Sequence, residues 1–322
     1  MNFYQFLSGS ARARALTAGA VTVVVAGLTL ALAQPPGRGG PVFNFDDHTG
    51  FTQIFDGKTL NGWDGAPDLW SVENGEIVGL SCPDKPAGTT FLIYKGSEPG
   101  DFELKMELKV ERGNTGVQYR STQAQPNMNF PGGGRGGSGR GPGGFGGRGF
   151  SGGFGGRGPG GPGGRGPQGP FAYCAGRDAA PGAAPVMPGG GAYTKWNVQG
   201  YQFDFGGNAT GNLWEGGRFP NERGNIATAG QVVVTREGQP NELVGTTAPA
   251  SDLTSLYKDG DWNQIHIIAR GYTFIHVVNG RVFNVTIDDN AAMHRAKGVI
   301  AIQMEGTPMR VSARNIWLKN LN

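Results

Sequence analysis

The chain has 322 residues, of which 60 are glycine and only 16% are charged, a composition outside the ordinary globular range. Residues 131–170 hold 23 of those glycines and five arginines (Arg135, Arg140, Arg148, Arg157, Arg165) with no acidic residue; setting these five aside, together with Arg12 and Arg14, takes the formal charge from +3 to −4. The basic balance therefore comes from the insert and the leader and says little about the folded body, and the remainder, about 250 residues, suffices for one sizeable all-β domain.

At the N-terminus, Arg12 and Arg14 precede an uncharged run over 15–33 that ends Ala31-Leu32-Ala33 before Gln34. That pattern predicts a signal peptide over 1–33 and export to the periplasm or medium. The same run is long enough to span a bilayer, so an uncleaved N-terminal anchor is the alternative, and a membrane is a partner only in that case. Residues 34–44 read as a Pro/Gly linker. The two cysteines, Cys82 and Cys174, either pair in an oxidising compartment or stay free; spacing alone does not decide. There is no Cys-x-x-Cys to suggest zinc.

The domain is expected over 45–321. Turn signals at Asp56-Gly57 and Asn61-Gly62 surround short apolar pieces, and Asn74-Gly75 between two short strands is a hairpin signal. Over 102–109, Phe102, Leu104, Met106 and Leu108 alternate with Glu103, Lys105, Glu107 and Lys109. Gly113-Asn114 reads as a turn into a further strand, where Val117 and Tyr119 alternate with Gln118 and Arg120. Residues 126–191 form a Gly/Arg/Pro-rich insert that cannot bury enough apolar surface to offset the entropy of ordering, so disorder is expected. Its arginines and Phe145, Phe150, Phe154 and Phe171 have the texture of RNA-binding tails, but an exported protein does not meet RNA, and nucleic acid is not an expected partner.

The next strand organises the rest. Over 196–205, Tyr201, Phe203 and Phe205 fall on one face and Gln202 and Asp204 on the other, an apolar back and a polar front. Gly211 to Arg218 is expected as a loop presenting Trp214 and Glu215. A strand over 231–236, a hairpin at Gly271, a second at Asn279-Gly280, and strands over 298–305 and 311–319 follow. Residues 288–295 are the best helical candidate. Many short strands with no βαβ alternation predict an antiparallel sandwich or jelly roll.

Several stretches together resemble one family. The run Phe55-Asp56-Gly57-Lys58-Thr59-Leu60-Asn61-Gly62-Trp63 is similar to the LFNGKDLSGW opening of the 3-keto-disaccharide hydrolase domain. The likeness continues through WSVENGEIVG (70–79), DFELKMELKV (101–110), GNTGVQYRS (113–121), GYQFDF (200–205), DWNQIHIIARG (261–271), GVIAIQMEG (298–306) and ARNIWLKN (313–320). It covers about 45–321, broken by the insert. The resemblance implies a concanavalin A-like jelly roll of two antiparallel sheets. It also implies cleavage of glycosides whose sugar carries a ketone at C3. Relatives carry either His or Glu where Glu305 stands.

Such a substrate has an acidified C2 proton. A base must reach it, donors must meet the enolate oxygen, and the C1 substituent then leaves, so the paired-carboxylate spacing of ordinary glycosidases is not required. Strand parity and the terminal motif supply candidates. Asp204 and Glu305 are expected as base or acid, and Arg120 as the group polarising the keto oxygen. Glu107, Gln118, Gln202, Gln303 and Arg314 are expected to bind substrate, with Trp214 stacking on a sugar and Glu215 beside it. Against these, Glu107 between two lysines reads equally as a solvated charge, Arg120 as a cross-strand ion-pair partner, Arg314 as a brace and Trp214 as core; His266 and His276 read as core histidines. No cofactor is required, and a divalent cation held by carboxylates and carbonyls is compatible with the fold. An oligosaccharide or 3-keto-glycoside is the expected partner. The alternatives are a non-catalytic carbohydrate-binding module and a surface interaction protein that binds through its insert.

Overall fold

The computed structural model describes residues 43–123, 172–178, 194–216 and 223–321. The expected signal peptide, and the insert apart from 172–178, lie outside the described residues. The chain divides into two units, Met1–Asn44 and Phe45–Asn322, and every described strand belongs to the second. In chain order the strands are β1 (Thr52–Gln53), β2 (Trp63–Asp64), β3 (Trp70–Glu73), β4 (Glu76–Ser81), β5 (Thr89–Tyr94), β6 (Phe102–Gln123), β7 (Val198–Phe205), β8 (Leu213–Gly216), β9 (Gly224–Ala227), β10 (Gln231–Arg236), β11 (Glu242–Thr246), β12 (Asn263–Arg270), β13 (Thr273–Val278), β14 (Arg281–Asp289) and β15 (Val299–Asn320), with one short helix, α1 (Ala250–Thr254), between β11 and β12.

The two longest strands, β6 and β15, pair with each other along their length and belong to both layers. Their Phe102–Arg112 and Arg310–Asn320 halves lie in a first sheet, ordered β11-β10-β14-β13-β12-β6-β15-β4-β3, with β1 also on β15. Their other halves lie in a second, ordered β9-β8-β7-β6-β15-β5-β2. All these pairs are antiparallel except β10 with β14, which is parallel. The chain is thus an all-β jelly-roll sandwich.

Gly113-Asn114 is not a turn. The strand runs straight through it and changes sheet, with Gly113 at φ +91°, where a Cβ would lie 3.1 Å from the Glu305 carbonyl oxygen. Residues 288–295 are not helical: Asp288 and Asp289 end β14, paired with Thr235 and Arg236. The stretch read as a loop around Trp214 is the inner strand β8.

The core lies between the two sheets. Tyr119, Tyr201, Phe203 and Phe205 from the second sheet meet Phe102, Phe274 and Phe283 from the first, all fully buried. Tyr119 and Tyr201 stack at 5.7 Å, and Tyr201 packs on Phe274 at 4.6 Å. His276 sits in this layer, between the Tyr119 hydroxyl at 3.0 Å and the Asn284 amide at 3.1 Å, and burial pushes it down to about 3. His266 pairs with Glu103 at 2.9 Å. His276 is thus a core histidine, as expected, whereas His266 is not: it stands opposite Lys105 on the outward face of the first sheet, beside Phe51.

Cys82 and Cys174 form a disulfide, Cα to Cα 5.5 Å, that ties residues 172–178 to the end of β4. This part of the low-complexity stretch has a short 3-10 turn, Ala172–Cys174, against the expectation of disorder across 126–191. The bridge closes a span of 92 residues. Its removal by Cys82→Ser with Cys174→Ser is expected to cost about 2–4 kcal/mol, read as a lower urea midpoint; an unchanged midpoint would show that the bridge merely decorates the fold.

Candidate functional site

The site is the outward face of the second sheet, where β15, β6 and β7 run side by side. Register places the polar residues of the three strands on one face: Gln118 opposite Gln202, Gly116 opposite Asp204, and Glu305 opposite Asn114. Side chains directly opposite in an antiparallel pair share a face, so the alternation that buries Tyr201, Phe203 and Phe205 turns Gln202 and Asp204 outward together.

These side chains form one connected chain of hydrogen bonds. The Ser121 hydroxyl donates to Gln118 Oε1 (2.6 Å), and Gln118 Nε2 donates to Gln202 Oε1 (2.7 Å). Gln202 Nε2 donates both to Asp204 Oδ1 (2.6 Å) and to Gln303 Oε1 (3.0 Å). Gln303 Nε2 donates to Glu305 Oε2 (3.3 Å), which also receives Asn114 Nδ2 at 3.5 Å. Gly116 makes the crossing possible: a Cβ there would lie 2.6 Å from Gln202 Cγ, so the amide of Gln202 lies over a bare backbone on its way from β7 to β15.

The two carboxyls share an environment without a cation among their influences. Burial pushes Asp204 up to about 7, with the Gln202 hydrogen bond opposing and the charge of Glu305 adding. Burial likewise raises Glu305, against the hydrogen bond from Asn114. Asp204 can therefore hold or release a proton near neutrality, and the amides can donate to a developing oxyanion.

Of the sequence candidates, Gln118, Gln202, Asp204, Gln303 and Glu305 come together. Trp214 joins them: it is opposite Gln202 on β8 and remains 38% exposed, an accessible indole face at the side of the row. The other four do not join. Arg120 points the opposite way because β6 bulges between Tyr119 and Thr122. There Arg120 takes φ +46° and is fully buried. Its guanidinium donates to the carbonyls of Gly100 (2.8 Å), Gly271 (2.6 Å) and Arg295 (3.1 Å) and to Asp101 (2.9 Å). It is a brace and cannot polarise a substrate on the far side of the sheet. Glu107 and Arg314 pair with each other at 2.8 Å on the first sheet, so their outward parity leads to the other side of the sandwich. Glu215 is opposite Tyr201, on the core side of β8, and is fully buried in a cluster with Arg223 (2.6 Å), which also binds Asp288 (2.7 Å). Sequence patterning did not single out Ser121 or Asn114; the first is delivered by the bulge, and the second lies where a turn was expected. Among the described residues no group of three or more His, Cys, Asp or Glu is placed to hold a metal.

The family model of the 3-keto-alpha-glucoside-1,2-lyase-like domain matches residues 50–134 and 183–319, more than half of the chain. The chain belongs to that family. Residues 135–182, most of the glycine-rich insert, fall between the two matched parts. A 3-keto-disaccharide hydrolase of Bacteroides thetaiotaomicron is 38% identical over 84 residues, 23% of this chain. The matched stretch spans only 28% of that relative's length. Among solved structures, a Bacillus subtilis protein of unknown function with a galectin-like fold covers 84% of this chain and 94% of its own at 11% identity, with a TM-score of 0.42. The carbohydrate-binding module CBM66 of the same species covers 80% and 96% at 8% identity, with a TM-score of 0.39.

Proposed function

We propose that this protein is an exported enzyme that cleaves 3-keto-glycosides by elimination and hydration at the amide–carboxylate row. The observation that carries this reading is the pairing of a buried Asp204 and a half-buried Glu305, bridged by glutamine amides, on one outward face. Asp204, which receives a short hydrogen bond from Gln202 that favours its ionised form, takes the C2 proton. The C2–H electrons move to the keto oxygen as an enolate, which meets the remaining N–H groups of Gln118 and Gln303. As the enolate collapses, the C1–O bond breaks. Glu305, the second carboxyl of the row and likewise raised by burial, gives a proton to the departing oxygen. Water then adds across the C1–C2 double bond, hydroxyl to C1 and proton to C2, for net hydrolysis. Trp214 offers its face to a sugar ring. The leader sequence and the Cys82–Cys174 bridge support an oxidising, extracytoplasmic setting; no cofactor is called for by these steps.

The test is incubation with 3-keto-trehalose and with an aryl 3-keto-glucoside. If Glu305 is the acid, Glu305→Gln loses about 10²–10⁴-fold on the disaccharide and recovers most of its rate on the aryl substrate, whose leaving group needs no proton. No turnover of either substrate by the wild-type protein, with binding retained, would assign it instead as a carbohydrate-binding module, the reading that the exposed Trp214 beside a row of amides also fits.

A further inference from the structure

The hydrogen-bond chain across the site has a direction. Beginning at Ser121, each amide accepts through its oxygen from the serine side and donates through its nitrogen toward a carboxyl. A glutamine can be turned over by exchanging its oxygen and nitrogen, and three linked glutamines can turn together. What fixes the direction must lie at the ends: two carboxyls, which accept when ionised, and one hydroxyl, which donates. Ser121 faces two acceptors, Gln118 Oε1 at 2.6 Å and the Tyr119 carbonyl at 3.1 Å, and the nearer is the amide.

The backbone is shaped around this serine. The bulge in β6 puts Arg120 and Ser121 where one residue would otherwise stand, so Arg120 turns to the core and Ser121 joins the row. Ser121 is 1% exposed. A Cβ at Gly200 would lie 2.4 Å from its hydroxyl oxygen, and one at Gly298 would lie 2.4 Å from its carbonyl. Glycine therefore stands on both sides of it, Gly200 within β7 and Gly298 immediately before β15.

We infer that Ser121 is a positioning residue: its hydroxyl sets the orientation of Gln118, and through Gln118 that of Gln202 and Gln303, so that an N–H of Gln202 stays on the Asp204 carboxylate. Without the hydroxyl the three amides can reverse, and Gln202 then turns an oxygen toward Asp204, an arrangement that only the protonated acid tolerates. Besides the amide, the charged group that bears on Asp204 from the strands packed around it is Glu305 on β15. The catalytic meaning of this device rests on the reaction proposed above; the orientation of the ladder does not.

The experiment is a pH titration of the Asp204 carboxyl by carbon-13 NMR in the wild-type protein, in Ser121→Ala and in Ser121→Cys, with the pH profile of kcat/KM for 3-keto-trehalose alongside. The midpoint of Asp204 is expected to rise by about half a pH unit or more in Ser121→Ala, the size of one net hydrogen bond, and to rise less in Ser121→Cys, which keeps the volume and a weak donor. The kcat/KM profile should move upward in parallel, with kcat reduced several-fold and KM little changed. An unmoved midpoint in folded Ser121→Ala, or in Ser121→Cys should the alanine variant not fold, overturns the assignment. A moved midpoint in a protein that never turns over 3-keto sugars would keep the ladder and sink the reaction class instead.

Discussion

Asp204→Asn is expected to abolish turnover and at the same time to make the protein more stable above neutral pH. The first half follows from the loss of the base, a decrease of about 10²–10⁴-fold in kcat/KM. The second follows from where the carboxyl sits. Burial raises Asp204 to about 7 in the folded chain, above its value in the unfolded one, so the protonated form stabilises the native state. That contribution is complete below the unfolded value of about 4 and is lost as pH rises through about 7. At pH 8 the wild-type protein holds a desolvated negative charge whose cost approaches about 4 kcal/mol, and asparagine removes it while still accepting the Gln202 N–H. The thermal midpoint of Asp204→Asn should therefore exceed that of the wild type by about 5 °C or more at pH 8 and by little at pH 4. An equal difference at the two pH values would mean that Asp204 is not in a desolvated site. The same ionisation predicts that wild-type kcat/KM rises with pH along a limb that is half-maximal near 7, because the base works only when unprotonated.

The second large effect is expected at Arg120. Arg120→Ala should destabilise the protein by about 3–5 kcal/mol, the range for removing one partner from a buried charged network. Asp101 is partly exposed, with 36% of its side chain accessible, so the ion pair itself is screened. Most of the loss comes from the carbonyls of Gly100, Gly271 and Arg295, which would be left without their donor. Arg120→Lys should recover only a fraction, since an ammonium cannot reproduce the guanidinium fork. Urea unfolding of the three proteins measures this; a loss in Arg120→Ala below about 1 kcal/mol would refute the brace. Because the bulge places Ser121 as well as Arg120, Arg120→Ala should also lower kcat, although its side chain never approaches the row.

Most of β7 was legible, because Tyr201, Phe203 and Phe205 alternate with Gln202 and Asp204, although the strand begins at Val198 and Trp196 ends a 3-10 turn rather than opening the strand. The same alternation misplaced Arg120, since a bulge changes parity without leaving a glycine or proline to announce it. Glu107 and Arg314 fail for another reason: parity says outward, but a sandwich has two outward faces. Nothing local in DFELKMELKV tells that this half of β6 belongs to the first sheet. Glu215 was misjudged with its strand, whose flanking glycines read as loop although β8 is paired on both sides. The pairing of Cys82 with Cys174 was undecidable because a separation of 92 residues fixes no distance.

Gln123 and Val198 are cross-strand neighbours, so everything between them is, topologically, the connection of one hairpin. Its two ends are held by the strands themselves, and the closure penalty for such a connection grows only with the logarithm of its length, about 0.6 kcal/mol for each doubling. Outside the segment that the Cys82–Cys174 bridge holds, this connection should therefore tolerate a large change of length, dozens of residues more or fewer, while the ladder beside it keeps its geometry.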